Sequence, residues 1–133
     1  MHPLVALVTL LALGLFLWMT ARVGAVRRKF GIAAPAITGH PEFERHFRVQ
    51  ANTIEGLIVF LPSLWLFAIF ANADPIAAVL GLVWIVGRVV YMQAYAKAAE
   101  SRSLGFGIQA LAMLALLFGA VGAVIWALVK SGF

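Results

Sequence analysis

Cysteine is absent from the chain, and charge is scarce. Without cysteine there is no disulfide framework, which excludes the small secreted scaffolds held together by bridges. Charged residues make up 11% of the sequence, ten basic and five acidic, where a soluble domain carries about 25%. Too few polar groups remain to cover a water-facing surface, and too many apolar ones for a disordered chain. The three histidines, His2, His40 and His46, lack the spacing of metal ligands, and no glycine-rich phosphate loop is present. The net charge of +5 does not indicate nucleic acid, because the basic residues lie beside long apolar runs. What is present is hydrophobicity, 64% of residues with a mean hydropathy of +1.02. The fold class read from this is an all-α integral membrane protein, in which each charge near the bilayer needs a physical reason.

The charges divide the chain into apolar blocks. His2 to Ala21, Gly56 to Ala73, Pro75 to Gly87 and Ser103 to Val129 hold no Lys, Arg, Asp or Glu. A helix needs roughly 20 apolar residues to cross the hydrocarbon. The first and last blocks qualify alone; the second does so by taking in Glu55, and the third by taking in Arg88. The expected architecture is a four-helix transmembrane bundle in a single domain over residues 1–133, with spans at roughly 3–26, 46–72, 75–97 and 104–130. Residues 1–21 lack a basic n-region and read as an uncleaved first span rather than a signal peptide. Gly31, Pro35, Gly39 and Pro41 mark the first connection. Asn72-Ala-Asp74-Pro75 reads as a tight second connection, with Asp74 as N-cap and Pro75 at the first helical position. Pro62 lies inside span two and is expected to kink it, as membrane helices tolerate. Ala115, Gly119 and Ala123, at four-residue spacing, allow close packing of span four within the bundle or between subunits.

Arg22, Arg27, Arg28, Lys29, Arg45 and Arg48 flank the first connection, and Lys97 and Arg102 the third. The second connection has no Lys or Arg. Connections one and three are therefore expected on the cytoplasmic face, with both termini opposite; Lys130 dissents.

Two faces carry unusual chemistry. Arg45, Arg48, Asn52 and Glu55 follow i, i+3, i+7 and i+10, one polar stripe entering the membrane on span two. Gln50 points elsewhere. The stripe reads either as internal pairing, Arg48 with Glu44 or Glu55 and Asn52 bonding across helices, or as a ligand site. On span three, Arg88, Tyr91 and Tyr95 fall at i, i+3 and i+7, and Arg102 joins them if the helix continues. The tyrosines alone read as an interfacial belt and Arg102 as a loop charge. Two faces converging near one membrane surface suit a zwitterionic ligand with more than one carboxylate, because guanidinium forks match carboxylates and Glu55 suits an ammonium. The Arg27-Arg28-Lys29 cluster also suits anionic lipid. A small proton-coupled exporter using Glu55 is a competing reading.

The run Phe43-Glu-Arg-His-Phe-Arg-Val-Gln-Ala-Asn-Thr-Ile-Glu55, followed by Phe60-Leu-Pro-Ser-Leu-Trp65, resembles the membrane-associated proteins in eicosanoid and glutathione metabolism, the MAPEG family. The resemblance is to the branch with microsomal glutathione S-transferases and leukotriene C synthases. Gly87-Arg-Val-Val-Tyr91 with Tyr95 and Arg102, and Arg27-Arg28 before Phe30, resemble the same family's third span and first connection. The resemblance implies four-helix subunits in a homotrimer, with glutathione bound between subunits near the cytoplasmic face, no metal, and lipophilic electrophiles or hydroperoxides as second substrate. It implies that Arg48 and Arg27 hold the glutathione carboxylates with Gln50 assisting, and that Asn52, Glu55 and Tyr91 hold the γ-glutamyl end. Tyr95 lines the site, Arg102 stabilises the thiolate, and Arg28 assists the second substrate. Gly56 stands where the leukotriene synthases have a tyrosine, and span four matches only loosely. Both departures imply a broad detoxifying transferase or peroxidase instead. A non-catalytic glutathione- or lipid-binding member of the family is the alternative within it.

Overall fold

The computed structural model describes residues 1–132, the side chain of Ala99 excepted. Four long helices run α1 Pro3–Phe30, α2 Pro41–Phe70, α3 Asp74–Lys97 and α4 Ser103–Lys130, with a short 3-10 turn, Ala99–Arg102, before the last. Each is long and apolar enough to cross a membrane, and there is no strand among the described residues. Successive helices run in opposite directions. The C-terminal half of α1 and the start of α2 meet through Lys29 and Glu42, 3.2 Å apart, and through Arg22 and His46, 3.0 Å apart. The start of α2 meets the end of α3 where Arg45 Nε donates to the Ala96 carbonyl at 3.2 Å. Connections one and three thus share one end of the bundle.

The helix ends have identifiable causes. α1 outruns the expected 26 to reach Phe30 and stops where Gly31 turns left-handed (φ 65°), a conformation that favours glycine. α2 begins at Pro41, five residues before the expected 46. There His40 caps it, its Nδ1 accepting from the Glu42 N–H at 3.1 Å, and Pro41 takes the first position. The expected role of Asp74 is corrected. Ala73 is the N-cap of α3, and the Asp74 carboxylate reaches across to accept the Leu4 and Val5 N–H groups at 3.2 and 3.1 Å. It caps α1 instead of its own helix, satisfying two of the four donors that a helix start leaves unpaired. α2 continues through Pro62 without interruption.

α2 and α3 form the middle of the bundle, each packed on the other and on both flanking helices, α1 and α4. Their contact centres on Phe60 and Trp84, stacked with ring centroids 4.0 Å apart, among Val5, Val8, Ala12, Leu64, Ala112 and Leu116. Large apolar side chains face outward on every helix, among them Leu10 and Leu17, Ile58, Val79, and Leu111, Phe118 and Val129. In lipid such residues gain little by burial, so association rests on packing and on polar contacts between helices. Small residues make that packing close. A Cβ at Gly119 would meet the Phe67 ring at 2.8 Å, so this part of the four-residue pattern on α4 packs within the subunit, while Ala115 faces outward. The tightest approach is between α3 and α4. A Cβ at Gly87 would lie 2.6 Å from the Gln109 backbone nitrogen, and one at Gly105 would overlap the Tyr91 backbone.

Candidate functional site

At the end of the bundle that carries the basic connections, α2, α3, the 3-10 turn and the start of α4 enclose an open cleft of about 1020 Å³. From α2 come Arg48, Asn52 and Glu55, spaced to share one helix face. From α3 come Tyr91 and Tyr95, from the turn Glu100 and Arg102, and from α4 Ser103 and Phe106. The two phenol rings stack with centroids 5.5 Å apart. The Arg88 guanidinium lies 4.3 Å from the Tyr91 ring and that of Arg102 lies 5.6 Å from the Tyr95 ring, so two cations bracket the aromatic pair. Glu55 and Arg48 are both exposed to the cleft and form no ion pair with each other or with Glu44 among the described residues. The internal pairing open to Arg48 is thus not what the subunit makes. Asn52 does bond across helices, its Oδ1 accepting from Arg88 Nη1 at 3.0 Å.

Six of the residues expected at a glutathione site, Arg48, Asn52, Glu55, Tyr91, Tyr95 and Arg102, line this one cleft. Three others do not. Gln50 sits two positions from Arg48, on another side of α2, and donates to Thr20 Oγ1 on α1 at 2.9 Å. Arg27 donates to the Ala36 carbonyl at 2.6 Å and lies over the Phe43 ring. Arg28 is exposed in the last turn of α1, a helix that contributes nothing to the cleft. Arg45 leaves the expected polar stripe, because its side chain ties α2 to the last turn of α3. Arg88 leaves its face in a different way: it is 1% exposed, behind the cleft lining, bonded to Asn52 and Thr53.

The third span ends at Lys97 as expected, short of Arg102. α3 does not continue to it; the chain breaks at Ala98 in extended conformation and turns back through the 3-10 segment. Arg102 still reaches Tyr95, as the N-cap residue of α4. A helix start carries partial positive charge, so the guanidinium and the first turn of α4 make one electropositive corner. Glu100, Ser103 and Phe106 were not expected in the site. The break that folds them in has no proline or glycine to announce it. The histidines serve separate structural contacts, with Asp74 for His2, Phe30 for His40 and Arg22 for His46. Among the described residues no group of three or more His, Asp or Glu is placed to hold a metal.

Comparison with known proteins agrees with this architecture. The chain is 48% identical to an uncharacterised protein of Synechocystis over 123 residues, 92% of this chain and 89% of that one. It is 42% identical to microsomal glutathione S-transferase 2 of Homo sapiens over 107 residues, covering 79% of this chain and 71% of the human protein. With leukotriene C4 synthase of Bos taurus it shares 41% identity over 99 residues, 74% of this chain and 65% of the bovine enzyme. The model of the MAPEG family matches residues 5–122. With this match and four helices built to cross a bilayer, the chain is an integral, multi-pass membrane protein that belongs to the MAPEG family.

Proposed function

We propose that the protein is a membrane-bound glutathione transferase that activates the glutathione thiol for attack on lipophilic electrophiles. The observation that carries this reading is the content of the cleft: two guanidiniums, two phenols, an amide and two carboxylates, Glu55 and Glu100, without a salt-bridge partner among the described residues, opening beside apolar helix faces. Glutathione offers two carboxylates, one ammonium and one thiol. Arg48 matches a carboxylate, Glu55 the ammonium, Asn52 and Tyr91 the rest of the γ-glutamyl end, and Tyr95 lines the tripeptide. Arg102 then faces the thiol. A free thiol has a pKa of about 8.5, and an adjacent guanidinium or helix start lowers it. The corner formed by Arg102 and the start of α4 offers both, so the bound thiol is held as thiolate near neutral pH. An apolar electrophile dissolved in the bilayer reaches it from the side of Phe106. The sulfur bonds to the electrophilic carbon, and the leaving group departs with its electron pair.

The cleft of one subunit is open, and a second carboxylate needs a second cation. In a homotrimer, Arg27 with Gln50 from the neighbouring copy supplies that end, and Arg28 borders the second substrate. The basic connections support a site at the cytoplasmic face. A lipid hydroperoxide is a second acceptor for the same thiolate, which attacks the terminal oxygen and breaks the O–O bond; the alkoxide leaves as the alcohol on protonation, and a second glutathione reduces the sulfenic acid to disulfide and water. The cleft volume, at the upper end of the roughly 300–1,000 Å³ of small-molecule sites, leaves room for both ligands.

The test is purified protein with glutathione and, in turn, an aryl halide and a lipid hydroperoxide. Conjugate formation is the expected result. Binding without turnover across the panel would assign a non-catalytic binding role. Proton-coupled flux in liposomes, lost in Glu55→Gln, would assign an exporter.

A further inference from the structure

Arg88 is the most deeply buried charge in the bundle, 1% exposed at mid-length in α3, and no carboxylate pairs with it among the described residues. Such a group inside a membrane helix marks function by default. Its contacts are specific. Nη1 donates to Asn52 Oδ1 at 3.0 Å and Nη2 to Thr53 Oγ1 at 2.7 Å, while the Thr53 hydroxyl donates onward to the Val49 carbonyl at 2.7 Å. A guanidinium only donates hydrogen bonds. Asn52 must therefore present its oxygen to Arg88, and its Nδ2 has no acceptor among the described residues. Asn52 lines the cleft, and Glu55, three residues on, can only accept when ionised.

We infer that Arg88 is a positioning residue: it fixes the Asn52 amide so that the cleft presents an N–H donor beside the Glu55 acceptor. This rests on the glutathione reading and assigns its polarity. The ligand group met by Asn52 is an acceptor, the α-carboxylate of the γ-glutamyl end, and the ammonium goes to Glu55. Without Arg88 the amide rotates, and its oxygen opposes the carboxylate.

The experiment measures KM and kcat, with direct binding, for three thiols. These are glutathione, its analogue with hydrogen in place of the γ-glutamyl α-carboxylate, and its glycine ethyl ester. The wild type should favour glutathione over the decarboxylated analogue about tenfold or more, as expected for a hydrogen bond to a charged group. Arg88→Met should lower that ratio severalfold through KM, an arginine still holding the carboxylate, with kcat little changed and the ratio of glutathione to the glycine ester unaltered. Asn52→Asp keeps the Arg88 contact but turns an oxygen to the cleft, so it should weaken glutathione and spare the decarboxylated analogue. Should Arg88→Met fail to assemble, Asn52→Asp decides alone. An equal loss for all three thiols in either variant, or a wild type that binds glutathione and the decarboxylated analogue alike, overturns the assignment. A wild type that binds no glutathione overturns the functional reading, and this inference with it.

Discussion

Replacing Gly105 by alanine tests how the site is assembled, because it alters no group that touches a ligand. The new Cβ would overlap the Tyr91 backbone, lying 2.6 Å from the Tyr91 Cα and 2.8 Å from the Gly87 carbonyl oxygen. Ordinary contact begins at 3.4 Å and the Tyr91 backbone nitrogen is the nearest atom, so relief requires α4 to move from α3 by about 1.1 Å, and backbone atoms cannot rotate away as a side chain would. Overpacking of this kind costs about 1–3 kcal/mol. The displaced helix carries Arg102, Ser103 and Phe106 with it, while Tyr91 and Tyr95 stay on α3. A misplacement of about 1 Å at a reacting centre lowers rate about a hundredfold. Gly107→Ala is the matched control: it lies on the same helix, two residues on, with nothing within 4 Å of its Cβ. There alanine should stabilise by about 0.5–1 kcal/mol through helix propensity. The assay is kcat/KM for conjugation of glutathione to an aryl halide, beside thermal unfolding in detergent. Gly105→Ala should lose most activity and melt below wild type, and Gly107→Ala should do neither. Wild-type activity and melting in Gly105→Ala would show that α3 and α4 do not meet backbone to backbone, and would remove the account of how Arg102 reaches Tyr95.

Arg102→Leu should lower conjugation at pH 7 by about a hundredfold or more, on the scale of losing a donor aimed at developing or resident negative charge. Glutathione binding should persist, and the pH–rate profile should shift toward the free thiol value of about 8.5; wild-type turnover in this variant would refute its role at the thiolate. Glu100 is a second carboxylate in the cleft, two residues from Arg102. Glu100→Gln should therefore raise kcat/KM for a carboxylate-bearing aryl halide about fivefold relative to a neutral one at low salt, an effect that shrinks as ionic strength rises. Asp74→Ala removes the acceptor of two N–H groups at the start of α1 and should destabilise by about 0.5–2 kcal/mol in thermal unfolding. Activity per folded molecule should be unchanged, because this clasp lies at the other end of the bundle from the cleft.

The number of helices and most of the residues lining the candidate cleft were legible in the sequence, and the failures share a cause. Periodicity reports angle around one helix axis. It placed Arg48, Asn52 and Glu55 on a common face, and Tyr91 with Tyr95 on another, and all five line the cleft. It could not report what stands opposite that face. Arg45 and Arg48 belong to one stripe by spacing, yet Arg45 is spent on the Ala96 carbonyl while Arg48 opens to the cleft. Arg88 shares a face with Tyr91 by spacing, yet it is buried against Asn52 and Thr53. Local punctuation failed where the stopping group came from elsewhere. Asp74 has the residue type and the position of an N-cap, but the donors it satisfies belong to a helix some seventy residues earlier. The break at Ala98 carries no glycine or proline, so nothing local announced that Glu100, Ser103 and Phe106 fold into the cleft. Gly87 and Gly105 are the residues that let two backbones touch. Helical angle alone leaves depth open: Arg48 lines the cleft as a cation, while Arg88 is buried behind the amide of Asn52, which lines the cleft in its place.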